Sequence, residues 1–333
     1  MATVSLAMDV TAPQPRDVFF GLNEDPVWEC KTDQLLEFRH HLEKTGCGSL
    51  RIPLRWRIVE PQPGQWDYSR IDAVLDAIPK NVDILATLMS VPSWANGVPL
   101  NTTNGWFDAY PPTQMATWSN YVARTVTKYK HRIKYWEIWN EENGVDFYRP
   151  KPDVRQYAEL LRTGYMAAKT ADPACVVVLG GLVMNGIVPS PWEPHKTMAN
   201  YLEALYQTGG KPYFDVANIH LYVTPTEGVA HAGKLTRATR DMMARNGDAH
   251  KPLWITEISA VPSGKQGFEK EQAEFLTALY RDMRTEKQIE RMFWFKLRDM
   301  KADLLGGEGA MGLLTINGRQ KPAFEAFRDS AGK

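Results

Sequence analysis

The sequence is poor in the groups that would point to several common chemistries. It has three cysteines, Cys30, Cys47 and Cys175, widely spaced and without a CxxC pair. That spacing argues against a disulfide framework or a zinc site and leaves buried free thiols as the expectation. Neither charge is in excess: thirty-nine basic residues balance thirty-nine acidic ones, and no cluster of Lys or Arg stands out. A nucleic acid or an anionic membrane surface therefore has no general electrostatic hold on the chain. No apolar run reaches membrane-spanning length. HExxH, GxSxG and the P-loop are absent. The opening MATVSLAMDVTAPQPRD lacks a basic stretch followed by an apolar core. This leaves two expectations open: a cytoplasmic protein, or a secreted or periplasmic one whose signal peptide is absent from this chain.

The composition that remains, 44% hydrophobic and 23% charged, is that of an ordinary globular protein. Aromatics make up 11%, with eleven Trp. Most aromatics belong in a core, but sugars present flat C–H faces that pack on indoles, so the Trp count is a weak pointer to carbohydrate.

Short β-branched or aromatic runs alternate with segments of helical periodicity. The runs predict strands at Val18–Leu22, Ser49–Leu54, Val82–Met89, Ile133–Trp139, Cys175–Leu179, Val216–Tyr222, Leu253–Ile258 and Arg291–Lys296. Helices are expected between them, the first from Thr32 to Lys44 with Thr32 and Asp33 as caps and Gly46 as its stop. A loop over Met184–Pro194 precedes the helix around Met198–Gln207. No linker or low-complexity break interrupts the alternation. Eight such units predict an α/β fold, a single-domain (β/α)8 TIM barrel, over residues 17–333, after an N-terminal segment of residues 1–16. Too few residues follow residue 330 for an accessory β-sandwich domain.

In such a barrel the chemistry sits just past the strand ends. Strand four ends in Asn140 and Glu141, and strand seven carries Glu257 near its end. A Glu inside an apolar strand is costly unless it is paired or belongs to a site. Two of them across a barrel mouth match the pair of carboxyl groups that glycoside hydrolysis requires. GEGAMG at 307–312 fits GxGxxG formally, but no strand–turn–helix unit follows it. His40 and His41 fall within a helical stretch and are expected to be surface or core histidines rather than a zinc site, and the Asn101-Thr102-Thr103 sequon implies little.

Longer stretches carry a specific resemblance. EPQPGQWDYSRIDAVLDA, VPSWA, WEIWNEEN, HLY, WITEIS, FWFKLRD and GLLTINGRQKPAFEAF run through nearly the whole chain. Together they resemble the retaining glycoside hydrolases of the large (β/α)8 clan A, most closely the β-xylosidase-like family 39. The resemblance implies Glu141 as general acid/base and Glu257 as nucleophile. It further implies that Asn140 binds the sugar hydroxyl next to the anomeric carbon, Tyr222 orients Glu257, and Trp94 and Trp294 contact the sugar. His220 and Arg51 match positions that shape the carboxylates' charge; Arg51 could instead pair with Glu137. Neither a cofactor nor a metal is implied, and the partner would be an oligo- or polysaccharide, with exo or endo action open. Two rivals are a carbohydrate-binding pseudoenzyme on the same barrel and a Schiff-base enzyme using Lys296. One departure stands out: the clan usually has Pro after the Asn–Glu pair, and here Glu142 takes that place. Strand alternation turns Glu142 away from Glu257.

Overall fold

The computed structural model describes residues 19–101, 103–183, 198–262, 267–286, 289–301 and 308–331. The expected 1–16 segment, Val18 at the start of the first strand, Thr102, Gly307 and the 184–194 loop lie outside the described residues.

Among the described residues nine parallel strands form one sheet: β1 (Phe20–Asn23), β2 (Ser49–Arg55), β3 (Asp83–Met89), β4 (Tyr135–Ile138), β5 (Val176–Leu179), β6 (Leu182–Val183), β7 (Ala217–Val223), β8 (Leu253–Ala260) and β9 (Ile289–Phe295). Their order, β5-β4-β3-β2-β1-β9-β8-β7-β6, places two consecutive pieces of chain at opposite ends of the sheet. β5 pairs with β4 and β6 pairs with β7, and Val178 bridges directly to Val216. The fifth strand is therefore one strand broken at Gly180–Gly181, and it closes the barrel. Nine assigned strands amount to the eight that the sequence predicts.

A helix of eight residues or more follows each of the eight: Leu35–Thr45, Ser69–Ala77, Met115–Tyr129, Val154–Ala171, Met198–Gln207, Gly228–Arg245, Phe268–Met283 and Pro322–Ala331. Local chemistry sets several ends. Gly46 closes the first helix in the left-handed region at φ 70°, as expected of a C-terminal glycine. Asp153 caps Val154–Ala171 by accepting from the N–H groups of Arg155 and Gln156. Thr32 and Asp33 do not act as caps: they lie within a 3-10 turn, where Gln34 accepts from the Lys31 N–H at 2.8 Å.

Alternation along the strands sorts side chains between the barrel interior and the helix layer. Leu85, Val178, Val216, Trp254 and Phe293 fill the interior as one cluster. At its base Arg291 donates to Ser49, Asp83 and Tyr135 and lies over the rings of Tyr135 and Trp254, which satisfies a buried guanidinium. The other face of each strand packs under the helices with Trp56, Trp118, Trp136 and Trp294. Most described Trp are thus core; Trp28 and Trp106 are exposed. None of the three cysteines is in a disulfide; Cys47 and Cys175 are buried and Cys30 is half-buried.

Strand β8 breaks its own alternation. Ile219 pairs with Ile255 and His220 with Glu257, while Met292 pairs with Ile255 and Trp294 with Ile258. Against both neighbours β8 carries one extra residue between Ile255 and Ile258. This bulge lets Thr256 and Glu257, adjacent in sequence, both serve the barrel mouth.

Candidate active site

Arg51 on β2 organises the strand-end face. Its Nε donates to Glu137 Oε2 at 2.6 Å, its Nη1 to Glu257 Oε1 at 2.5 Å and its Nη2 to Asn140 Oδ1 at 2.6 Å. A guanidinium only donates, so the Asn140 carbonyl must face it. The Asn140 NH₂ then has no partner among the described residues and is the group this side chain offers outward. Arg51 thus pairs with Glu137, the alternative the sequence left open, and also donates to Glu257 on β8.

Glu137, fully buried on β4, is saturated. Besides Arg51 it accepts from the Thr87 hydroxyl, from Asn218 Nδ2 at 2.5 Å and from Thr256 Oγ1 at 3.1 Å. That saturation fixes protons further along. The Thr256 proton is committed to Glu137, so toward His220 Nε2, 3.0 Å away, the Thr256 oxygen accepts. Nε2 therefore carries a hydrogen. The other ring nitrogen, Nδ1, lies 2.9 Å from Glu141 Oε1. His220 and Glu141 hold one proton between these two atoms.

Glu257 is bound on both oxygens, by Arg51 and by the Tyr222 hydroxyl. Its burial raises its pKa, but the His220 ring, Arg51 and the Tyr222 hydrogen bond outweigh that and hold the carboxyl below its usual range. Glu141 is pushed the other way: burial and the charge of Glu257 raise its pKa above the usual range despite His220. The two carboxyl groups and the imidazole come together, with one ligand atom of each within 4.8 Å of the others. The trio resembles a cation site in its donors, but the Arg51 guanidinium already supplies the positive charge that Glu257 faces.

The backbone that delivers Glu141 is unusual. Trp139 and Glu141 have φ of 77° and 49°, a region that costs a non-glycine residue about 1–3 kcal/mol and concentrates at functional sites. The turn is pinned to the broken fifth strand. Glu141 N–H donates to Gly181 O at 3.1 Å, and Asn143 exchanges two hydrogen bonds with the Val183 backbone. The two glycines are needed there: a Cβ on Gly180 would run into the Glu142 carboxyl, and one on Gly181 into the His220 ring.

Of the residues singled out in the sequence, Arg51, Asn140, Glu141, His220, Tyr222 and Glu257 form this one network. The structure corrects the choice of Trp294. Its ring is fully buried in the helix-side core, and its indole donates to Met311 O at 3.1 Å. Phe293 faces the barrel interior, so alternation brings Phe295 to that face and Trp294 to the other. Phe295 packs edge-on against Tyr222. Trp94 is half-buried, with its indole N–H spent on Glu60 O at 2.9 Å and its ring against Trp56. Lys296 is no free amine either: Glu24 and Glu29 grip it at 3.0 and 2.5 Å and, against the effect of burial, raise its pKa. Sequence reading missed Thr256 and Asn218 as members of the network. Their only signal was a polar residue inside an apolar strand.

Comparison with known proteins supplies the family. The family model described as "Glycosyl hydrolase catalytic core" matches residues 152–327. An endo-1,4-β-xylanase A of Phanerodontia chrysosporium is 30% identical over 125 residues, 36% of this chain and 29% of that protein. A family 39 glycoside hydrolase from the gut symbiont Bacteroides cellulosilyticus WH2 superposes with a TM-score of 0.71 at 22% identity, over 95% of this chain and 64% of that one. An exo-β-1,4-mannosidase from Opitutaceae bacterium strain TAV5 gives 0.69 at 18% identity, over 95% and 59%. The chain thus spans under a third of the curated relative and less than two thirds of these two solved structures, whose likeness is one of fold: TIM-barrel glycoside hydrolases. With more than half of its length matched by the family model, the chain belongs to the glycosyl hydrolase catalytic core family.

Proposed function

We propose that the protein is a retaining glycoside hydrolase that cleaves β-glycosidic bonds in oligo- or polysaccharides. Glu257 is the nucleophile and Glu141 the general acid/base. The observation that carries this reading is the close pair of carboxyls pushed in opposite directions, Glu257 toward the ionised form and Glu141 toward the protonated form. Retaining enzymes hold their carboxyls about 5–5.5 Å apart and inverting ones about 6.5–9.5 Å, because the latter must admit a water. Oxygens within 4.8 Å support the former.

Glu141 protonates the glycosidic oxygen as the Glu257 carboxylate bonds to the anomeric carbon and the C–O bond to the leaving group breaks. With Glu257 esterified, its charge no longer raises the Glu141 pKa. Glu141, now ionised, takes a proton from water, the water oxygen bonds to the anomeric carbon, and the ester bond breaks to restore Glu257. In the resting state Arg51 balances one of the two carboxylates it touches, which leaves one negative charge beneath the sugar. That charge favours an oxocarbenium-like transition state and vanishes in the ester. The Asn140 NH₂ serves the hydroxyl beside the anomeric carbon.

The test is a panel of aryl β-glycosides with the wild type, Glu257→Ala and Glu141→Ala, with the anomer of the first-formed product read by NMR. Glu257→Ala is expected to be inactive on every member. Glu141→Ala should keep activity on good leaving groups and recover with azide. An inverted first product, or full activity in either variant, overturns the assignment.

A further inference from the structure

Glu142 is fully buried, and neither of its carboxyl oxygens has a hydrogen-bond partner among the described residues. The groups whose charge or polarity couples to it are Tyr157 from the helix Val154–Ala171, Tyr148 from the loop after β4, Tyr201 from the helix Met198–Gln207, and Glu137 and Glu141 from its own strand end. Nothing cationic is among the groups that act most on it. The Tyr148 and Tyr201 hydroxyls are likewise buried and without partners among the described residues.

Tyr157 decides what Glu142 can be. Its hydroxyl donates to Ile138 O, the last residue of β4, at 2.9 Å and accepts from the Gly180 N–H at 3.0 Å. Its one proton is spent, and toward Glu142 it has only a lone pair left. A carboxylate there would set lone pair against lone pair, with two further acidic groups behind it. A carboxylic acid O–H matches it. The contacts form a ring: Ile138 to Tyr157, Tyr157 to Gly180, Gly181 to the Glu141 N–H, with the Glu142 carboxyl seated on Gly180 inside it.

We propose that Glu142 is a positioning residue for Glu141: a neutral carboxylic acid that donates into the Tyr157–Gly180 junction and so holds the left-handed turn that presents the acid/base. This rests on the reading of Glu141 given above. Burial, with Glu137 and Glu141 adding to it, outweighs the lowering effects of the backbone and the Tyr157 hydroxyl and pushes the Glu142 carboxyl up to about 8, which favours its neutral form at neutral pH. Its ionisation would place a second unbalanced charge beside Glu141.

Two variants test this on phenyl and 2,4-dinitrophenyl β-glycosides of the sugar that the panel selects. Glu142→Gln keeps a donor, and Glu142→Met keeps the length without one. A buried donor lost from its acceptor is worth about 1–3 kcal/mol, so kcat of the Met variant on the phenyl glycoside should fall about tenfold or more. KM, and kcat on the dinitrophenyl glycoside, which needs no acid, should hold, and Gln should restore most of the loss. Equal loss on both substrates, or a Gln variant as poor as Met, overturns the proposal.

Thermal unfolding against pH decides the neutral state without any activity measurement, even if Met fails to fold. A raised carboxyl stabilises the fold below its unfolded value of 4.5 and loses that contribution as pH rises through about 8. The melting temperature of Glu142→Gln minus that of the wild type should therefore grow between those limits and then level. A difference independent of pH overturns the proposal. Absence of leaving-group dependence in Glu141→Ala would instead strike the acid assignment and leave the unfolding result standing.

Discussion

Thr256 Oγ1 lies 3.0 Å from His220 Nε2 and donates its own hydrogen bond to Glu137, so a threonine sets the tautomer of the histidine that touches Glu141. Thr256→Val keeps the shape and removes the hydroxyl. It leaves an N–H and a carboxylate lone pair buried without partners, at a cost of about 1–3 kcal/mol in stability. With the tautomer no longer fixed, kcat on poor leaving groups should fall and the alkaline limb of the pH profile should move. Thr256→Ser should restore both. Nitrogen NMR of the wild-type imidazole is expected to show Nε2 protonated; a bare Nε2 would rule the arrangement out.

The opposed shifts of Glu141 and Glu257 predict a bell-shaped kcat/KM profile. The acid limb follows protonation of Glu257, below the usual carboxylate range, and the alkaline limb follows ionisation of Glu141, above it. Arg51→Met should move the acid limb to higher pH, because the guanidinium helps keep Glu257 ionised. It also strands two buried carboxylates, and denaturant unfolding should show a loss of about 3–5 kcal/mol near neutral pH. For a carboxyl with a depressed pKa, the stability it contributes is present above its unfolded value and lost as pH falls. The gap between wild type and variant should therefore narrow in acid. An unmoved acid limb would separate Arg51 from the charge of Glu257.

Phe295 and Trp294 offer a contrast between neighbours. Trp294→Ala opens the helix-side core and should cost about 3–5 kcal/mol, while the folded fraction keeps its KM. Phe295→Ala, on the face beside Tyr222, should raise KM or lower kcat with a small change in melting temperature. A reversed pattern would return the sugar contact to Trp294.

The pattern of runs and helical periods was enough to read the barrel. Apolar alternation and the turn residues between runs are local properties, and the strands formed within a few residues of where they were expected. Gly180 and Gly181 are the exception. Nothing local marks them as the place where the fifth strand stops pairing with β4 and starts pairing with β7, because the partner of a strand is a non-local fact. The acidic pair Glu141 and Glu257 was legible because charge at the end of an apolar strand is costly without a reason.

What the sequence alone determined, then, is the element order and the residues whose chemistry is conspicuous. Which neighbour faces inward was decided by tertiary structure. Simple alternation cannot place Thr256 and Glu257 on one face, and only the bulge in β8 against both of its neighbours does so. At Trp294 and Phe295 the period of two was visible, but its phase is set by pairing with β1 and β8 and by which ring fits the interior. Glu142 stands at the same limit. From sequence it was an odd substitute for proline; in the fold it lies buried between Tyr157 and Gly180, where hydrogen-bond geometry asks it for a proton.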